Sequence, residues 1–205
     1  MENLFILLGA AAIGFSHSFE ADHLVAVSNI VTRRTNTISA IKDGVFWGLG
    51  HTSTILLVAI IYMIGKFILQ ENNFHYFEAS VGLMLMVLGV IRFYKIFQDR
   101  SHGHSHISEP TFGLAYGVGL VHGLAGSGGL LISVLTQIKD NVMAIFYILI
   151  FGIGSIVGMM IAAGAFSLPF STKIINNKWL STILSTVSAF LCVGLGAMIF
   201  YKNII

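Results

Sequence analysis

The sequence predicts an all-α integral membrane protein of six transmembrane helices, built as a 3+3 inverted repeat with helices 1 and 4 interrupted. Three observations carry this expectation. Of 205 residues, 56% are hydrophobic and only 10% charged, against roughly 25% charged in an ordinary soluble domain, and mean hydropathy is +0.86. Six apolar windows, 3–31, 40–66, 75–97, 111–137, 141–168 and 179–201, each reach the ~20 residues that a hydrocarbon core demands. The third observation is internal similarity between residues 1–97 and 111–205, two three-helix units on either side of a polar loop at 98–110.

The first window is organised around Gly14-Phe15-Ser16-His17-Ser18-Phe19-Glu20-Ala21-Asp22-His23. Ionisable side chains at bilayer depth cost several kcal/mol, so they face a cavity, a partner or an ion. On a straight helix at 100° per residue, His17, Glu20 and His23 form one stripe, whereas Asp22 points well away from it. For all four to meet one cation the helix must bend or unwind, and Gly14 is the expected place. The plainer reading is a set of buried polar residues that pair with neighbouring helices. The cluster and the lack of a basic n-region mark this window as a retained span, not a cleaved signal.

Helix 2 carries Trp47-Gly48-Leu49-Gly50-His51-Thr52-Ser53-Thr54, a second polar cluster beside glycines. Helix 3 has small residues at Ala79, Gly82 and Gly89, suited to close helix packing. The loop at 98–110 contains His102, His104 and His106, a tract that reads either as an auxiliary metal-binding loop or as a His-rich linker. Helix 4 reads Gly119-Leu120-Val121-His122-Gly123-Leu124-Ala125-Gly126-Ser127-Gly128.

Gly14-Phe15-Ser16-His17 aligns with Gly119-Leu120-Val121-His122. Trp47-Gly48-Leu49-Gly50-His51 aligns with Phe151-Gly152-Ile153-Gly154-Ser155, and Ser80 through Lys95 aligns with Val187 through Lys202. The offsets are 105, 104 and 107 residues, in the same order along the chain. An odd number of crossings per unit makes the second copy run through the membrane in the opposite sense. The second copy has Ser127 and Gly128 where the first has Asp22 and His23, so the charged groups stay in one half.

Eight of the eleven Lys and Arg residues flank loops 1–2, 3–4 and 5–6, and Lys66, Lys139 and Lys202 lie on the other side. By the positive-inside rule the odd loops are cytoplasmic and both termini outside. A net charge of +2 gives no reason to expect nucleic-acid binding, and the single cysteine, Cys192, leaves no disulfide framework.

The segment His17-Ser18-Phe19-Glu20-Ala21-Asp22-His23 matches the His-x4-Asp-His signature of the nickel/cobalt transporter family, including the Phe and the acid within the gap. Leu49-Gly50-His51-Thr52-Ser53 resembles that family's Leu-Gly-His-Ser-Thr segment, with the two hydroxyl residues reversed. Typical members have eight spans and an acidic motif in the helix that here carries His122. The chain is more similar to the compact six-helix, UreH-like branch. The resemblance implies a multi-pass protein of a bacterial or archaeal plasma membrane that supplies a nickel enzyme, with urease or hydrogenase maturation proteins as partners.

Imidazole and carboxylate ligands suit nickel, cobalt and zinc better than magnesium or calcium. The expected ligands are His17, Asp22, His23 and His51. Glu20 and His122 are expected as further ligands or as partners that orient them, and Asn29 as a residue of the path. The ion, nickel first and cobalt next, is substrate and not cofactor. The two halves are expected to rock about the site. No HExxH motif occurs and the core histidines are too few for a di-iron centre, so an enzyme is not expected. A non-transporting metal-binding accessory protein is the alternative, and export and homo-oligomerisation stay open.

Overall fold

The computed structural model describes residues 2–32, 34, 36–65, 74–101, 111–125, 138, 140–170 and 178–204. Among these are seven α-helices and no strand: α1 Glu2–His17, α2 Ala21–Val31, α3 Thr37–Gly65, α4 Phe74–Ser101, α5 Phe112–Ala125, α6 Asn141–Ser167 and α7 Lys178–Ile204. By length and composition α3, α4, α6 and α7 can each cross a membrane, and α1 with α2 adds a fifth span broken by 58°. Helix α5 has 14 residues, about 21 Å, which is short of a ~30 Å hydrocarbon core. The remainder of the 111–137 window, with Ser127, Gly128 and the expected interruption of helix 4, lies outside the described residues. So do His102, His104 and His106. Of the expected 98–110 loop, the first residues are helical, because α4 runs on to Ser101.

The break in the first span falls at Ser18-Phe19-Glu20, and not at Gly14 as the sequence suggested. Backbone hydrogen bonds from Phe19 N to Ser16 O (3.0 Å) and from Glu20 N to His17 O (3.1 Å) close a tight turn. Glu20 is extended (φ −64°, ψ 153°), and Leu24 N donates to Glu20 O to begin α2. The Ser18 hydroxyl donates to the carbonyl of Ser155 on α6, 2.9 Å away, which holds the turn against a neighbouring helix. Gly14 serves another purpose. It sits inside α1, and its missing side chain admits the carbonyl of Phe151.

The helices pack chiefly as α1 with α6, α3 with α5, α3 with α6 and α4 with α7, and α2 lies against α6 and α7. Each pair meets along backbone that only glycine permits at these distances, the membrane version of small-residue packing. The contacts recur at the offsets found in the sequence. Gly14 meets the Phe151 carbonyl and Gly119 meets that of Trp47; Gly154 meets the Ala11 carbonyl and Gly50 meets that of Tyr116. Between α4 and α7, a Cβ on Gly196 would lie 2.6 Å from Gly82 O, and one on Gly89 would lie 2.8 Å from Ala189 O.

The core between the pairs holds Val27, Ile30, Trp47, Leu85 and Met159, all nearly inaccessible. Phe5, Leu57, Ile64, Phe97, Trp179 and Phe190 point outward and are exposed, as expected of an apolar girdle that lipid covers. Two of the cations counted in the charge asymmetry are buried instead of lying free at the interface. Arg34 donates from Nε and Nη2 to the two carboxylate oxygens of Asp43 (2.6 and 2.7 Å), and its guanidinium lies over the Phe112 ring at 4.8 Å. Arg92 donates to Thr32 O (3.1 Å) and Ser185 Oγ (2.7 Å).

Candidate metal centre

Four imidazoles and a carboxylate converge where the first span breaks. His17 ends α1, Asp22 and His23 open α2, His51 is the middle residue of the 29-residue α3, and His122 lies near the end of α5. All four histidines are buried, three of them completely. The break resolves the angular problem of the sequence: with the helix interrupted after His17, Asp22 and His23 no longer follow the straight-helix angles and both turn inward.

Ring centroids lie 4.7 Å apart for His17 and His23, 5.4 Å for His17 and His51, 5.4 Å for His23 and His51, and 4.7 Å for His23 and His122. Ligand atoms of His17, His23 and His51 fall within 4.8 Å of one another, and so do those of Asp22, His23 and His122. His23 belongs to both groups. His122 Nε2 is 3.7 Å from Asp22 Oδ2. That places His122 alongside the expected ligands, although it comes from the other half of the chain.

The carboxylates also set the orientation of the rings. Glu20 Oε1 is 2.8 Å from His17 Nδ1, and Asp22 Oδ1 is 3.0 Å from His23 Nδ1. A proton held on each Nδ1 by its carboxylate leaves the Nε2 lone pair free, the arrangement by which outer partners orient metal-ligating histidines. The Nε2 atoms of His17 and His23, and both ring nitrogens of His51 and His122, are buried without a hydrogen-bond partner among the described residues. Buried polar groups are otherwise almost always paired, so this density of unpaired nitrogen fits a divalent-ion ligand set better than a packing network.

Trp47 and Phe151 wall the group, and the sequence reading did not single them out. Trp47 stacks on His23 at 6.0 Å with an 11° interplanar angle and lies 5.3 Å from His122. Phe151 lies 5.7 Å from His17. The two aromatics occupy aligned positions of the repeat, each beside the aligned histidine of the other half, Phe151 by His17 and Trp47 by His122. The available signal was that Trp47 precedes His51 by one helical turn and so shares its face. Asn29 is fully buried two turns beyond Asp22 on α2.

The chain is 32% identical over 180 residues to the urease accessory protein UreH of Bacillus sp. (strain TB-90), an alignment that covers 82% of this chain and 78% of that protein. This chain belongs to the UreH-like branch of the nickel/cobalt transporter family. A second relative is the high-affinity nickel transport protein of Cupriavidus necator, 29% identical over 131 residues, which cover 55% of this chain and 37% of that longer protein. No family profile and no solved structure matches the chain. For this UreH-like chain the ligand geometry therefore comes from its own residues.

Proposed function

We propose that this protein carries divalent transition-metal ions across the membrane, nickel first and cobalt next, through the histidine centre at mid-depth. One observation carries the reading: imidazoles from α1, α2, α3 and α5 and the Asp22 carboxylate bring their ligand atoms together in the buried middle of an apolar bundle. Nitrogen and oxygen donors of this kind favour borderline ions. The relatives named for nickel transport and for urease accessory function agree with that preference.

An inverted repeat is part of the proposal, and the recurrence of backbone contacts at the 104, 105 and 107 residue offsets supports it. The same contacts alter the expected motion. Glycine seams join α1 to α6, α3 to α5 and α3 to α6, each across the two halves, so the halves do not rock as separate bodies. The pair α3–α5 brings His51 and His122, and α1–α6 brings His17. A shift of α2 against these sealed helices opens and closes the ligand set about His23.

Within the site Glu20 and Asp22 orient His17 and His23, and the carboxylates offset the charge of the entering ion. The imidazoles ligate only when neutral, so protons compete with the metal and transport falls as pH drops. The protein is no enzyme on this reading. Following the charge asymmetry both termini lie outside, and the likeness to the urease accessory protein favours inward transport, towards urease or hydrogenase maturation partners. Uptake of radioactive nickel into liposomes containing the purified protein tests the function. Accumulation that His23→Ala abolishes is the expected result, and full accumulation by that variant would sink the ligand assignment.

The UreH name favours a second reading, an accessory protein that binds the ion and hands it on without transport. It requires nickel binding by the purified protein with no liposome accumulation, so the same preparation separates the two.

A further inference from the structure

A cavity of about 370 Å3 opens beside the break in the first span, where the first turns of α4 and the last turns of α7 meet it. Glu20 and Asp22 line it from the break, Glu78 and Val81 from α4, and Ile199 and Lys202 from α7. Two of these residues belong to the histidine centre as well: Glu20 holds His17 at 2.8 Å, and Asp22 shares a ligand group with His23 and His122. The cavity therefore reaches the buried nitrogens through carboxylates that face both ways.

The other face of the molecule holds the counterpart of the α4 and α7 part of this lining. Shifting the lining by the 107-residue offset of α4 and α7 turns Glu78 into Ser185, Val81 into Ser188, and Ile199 into Arg92. Glu78 and Arg92 are fourteen residues apart on α4, as are Ser185 and Ile199 on α7, a separation of about 21 Å along each axis. There the equivalent residues are tied to one another and to α2. Arg92, 8% exposed, donates to Ser185 Oγ at 2.7 Å and to Thr32 O at the end of α2 at 3.1 Å. One turn deeper, Ser188 and Ser28 are hydrogen-bonded at 2.8 Å, and Asn29 lies buried beside them on α2.

We propose that the cavity is the vestibule through which a hydrated divalent cation reaches the histidines, received by Glu20 and Glu78, and that Arg92 at the equivalent place on the opposite face latches the way out. The two ends are chemically opposed. At the mouth three carboxylates, Glu20, Asp22 and Glu78, outnumber the one ammonium of Lys202 and concentrate a cation, whereas a guanidinium held between α2, α4 and α7 occupies the exit and repels the ion. Release of Arg92 from Thr32 and Ser185 frees the end of α2, the helix whose start carries Asp22 and His23, so opening at one end is mechanically tied to the ligand set.

This inference rests on the transport reading, and matched cysteine labelling separates the two. Val81 and Ser188 are equivalent positions of similar burial, 3% and 5% exposed, so unequal reactivity measures the vestibule and not mere exposure. In a Cys192→Ala background, a membrane-impermeant thiol reagent is applied to right-side-out and inverted vesicles. Val81→Cys reacts from one face and Ser188→Cys is protected from both. Adding Arg92→Gln makes Ser188→Cys react from the opposite face, faster by about tenfold or more as the open population grows. Ser185→Ala removes only the hydroxyl that accepts from Arg92, and it shifts Ser188→Cys in the same direction should Arg92→Gln fold poorly. Equal reactivity at the two positions, or protection of Ser188→Cys that survives both substitutions, overturns the proposal. Nickel accumulation in wild-type liposomes reads the transport function independently. Accumulation without the labelling pattern removes the vestibule and latch alone, and the labelling pattern without accumulation removes the transport reading alone.

Discussion

Helix α1 and helix α5 occupy matching places and have parted in chemistry. Each lays a glycine, Gly14 or Gly119, against the carbonyl of an aromatic residue, Phe151 or Trp47, and each carries a histidine three residues later beside that aromatic ring. Past that point they differ. The first span breaks, returns as α2, and brings Glu20, Asp22 and His23; α5 contributes His122, which meets the Asp22 carboxylate at 3.7 Å. The difference teaches that backbone packing and ligand chemistry vary separately. The helix seams keep their form in both halves because a Cβ at Gly14, Gly119, Gly154 or Gly50 collides with main chain, whereas on the transport reading one set of carboxylates suffices to balance one ion.

The largest effect tests the seams. Gly14→Leu and Gly119→Leu each drive a side chain into a carbonyl, and both are expected to abolish folded, detergent-stable protein, as size-exclusion profiles will show. If one is tolerated, the seams are not equivalent. Next is the ligand shared by both groups. His23→Ala is expected to weaken nickel binding by more than the roughly 100-fold that losing an outer partner costs, and His122→Ala by less than His17→Ala, as read by calorimetric titration; the reverse order would place the ion nearer α5. Glu20→Gln leaves His17 in place but weakens its orientation, so affinity falls by about 10- to 100-fold, with the loss smaller in His17→Ala protein that has nothing left to orient. Acidification from neutral pH lowers nickel affinity in wild-type protein because protonated imidazoles cannot ligate, and the slope against pH is shallower in His122→Ala, which has one fewer competing ring. The smallest effect belongs to Ser18→Ala, which removes the bond to Ser155 and lowers stability by about 1 kcal/mol, measured as a shift in thermal unfolding.

Much of this was legible in the residues. Apolar windows located the five spans the structure describes, because lipid imposes a length that composition alone reveals. The His-x4-Asp-His spacing and His51 announced residues that the fold brings together, since ionisable groups in such windows have few other reasons to be there. The offsets of the repeat were visible too. The position of the break was not: angles on an ideal helix show that a bend is needed somewhere, and Gly14, the obvious candidate, is used for close approach instead. Nor could sequence show that Arg34 and Arg92 are buried. Those depend on partners, Asp43 across a turn and Ser185 on α7, that no local pattern specifies.

The pairing of α1 with α6 has a consequence for how the chain is made. The Ser18 hydroxyl waits for a carbonyl 137 residues downstream, and Gly14 waits for the same helix. The ribosome must therefore thread nearly three-quarters of the polypeptide into the bilayer before the first span can dock. A chain stalled before Phe151 leaves the first span without the helix that Gly14 and Ser18 dock against, a natural target for membrane proteases that clear unfinished proteins.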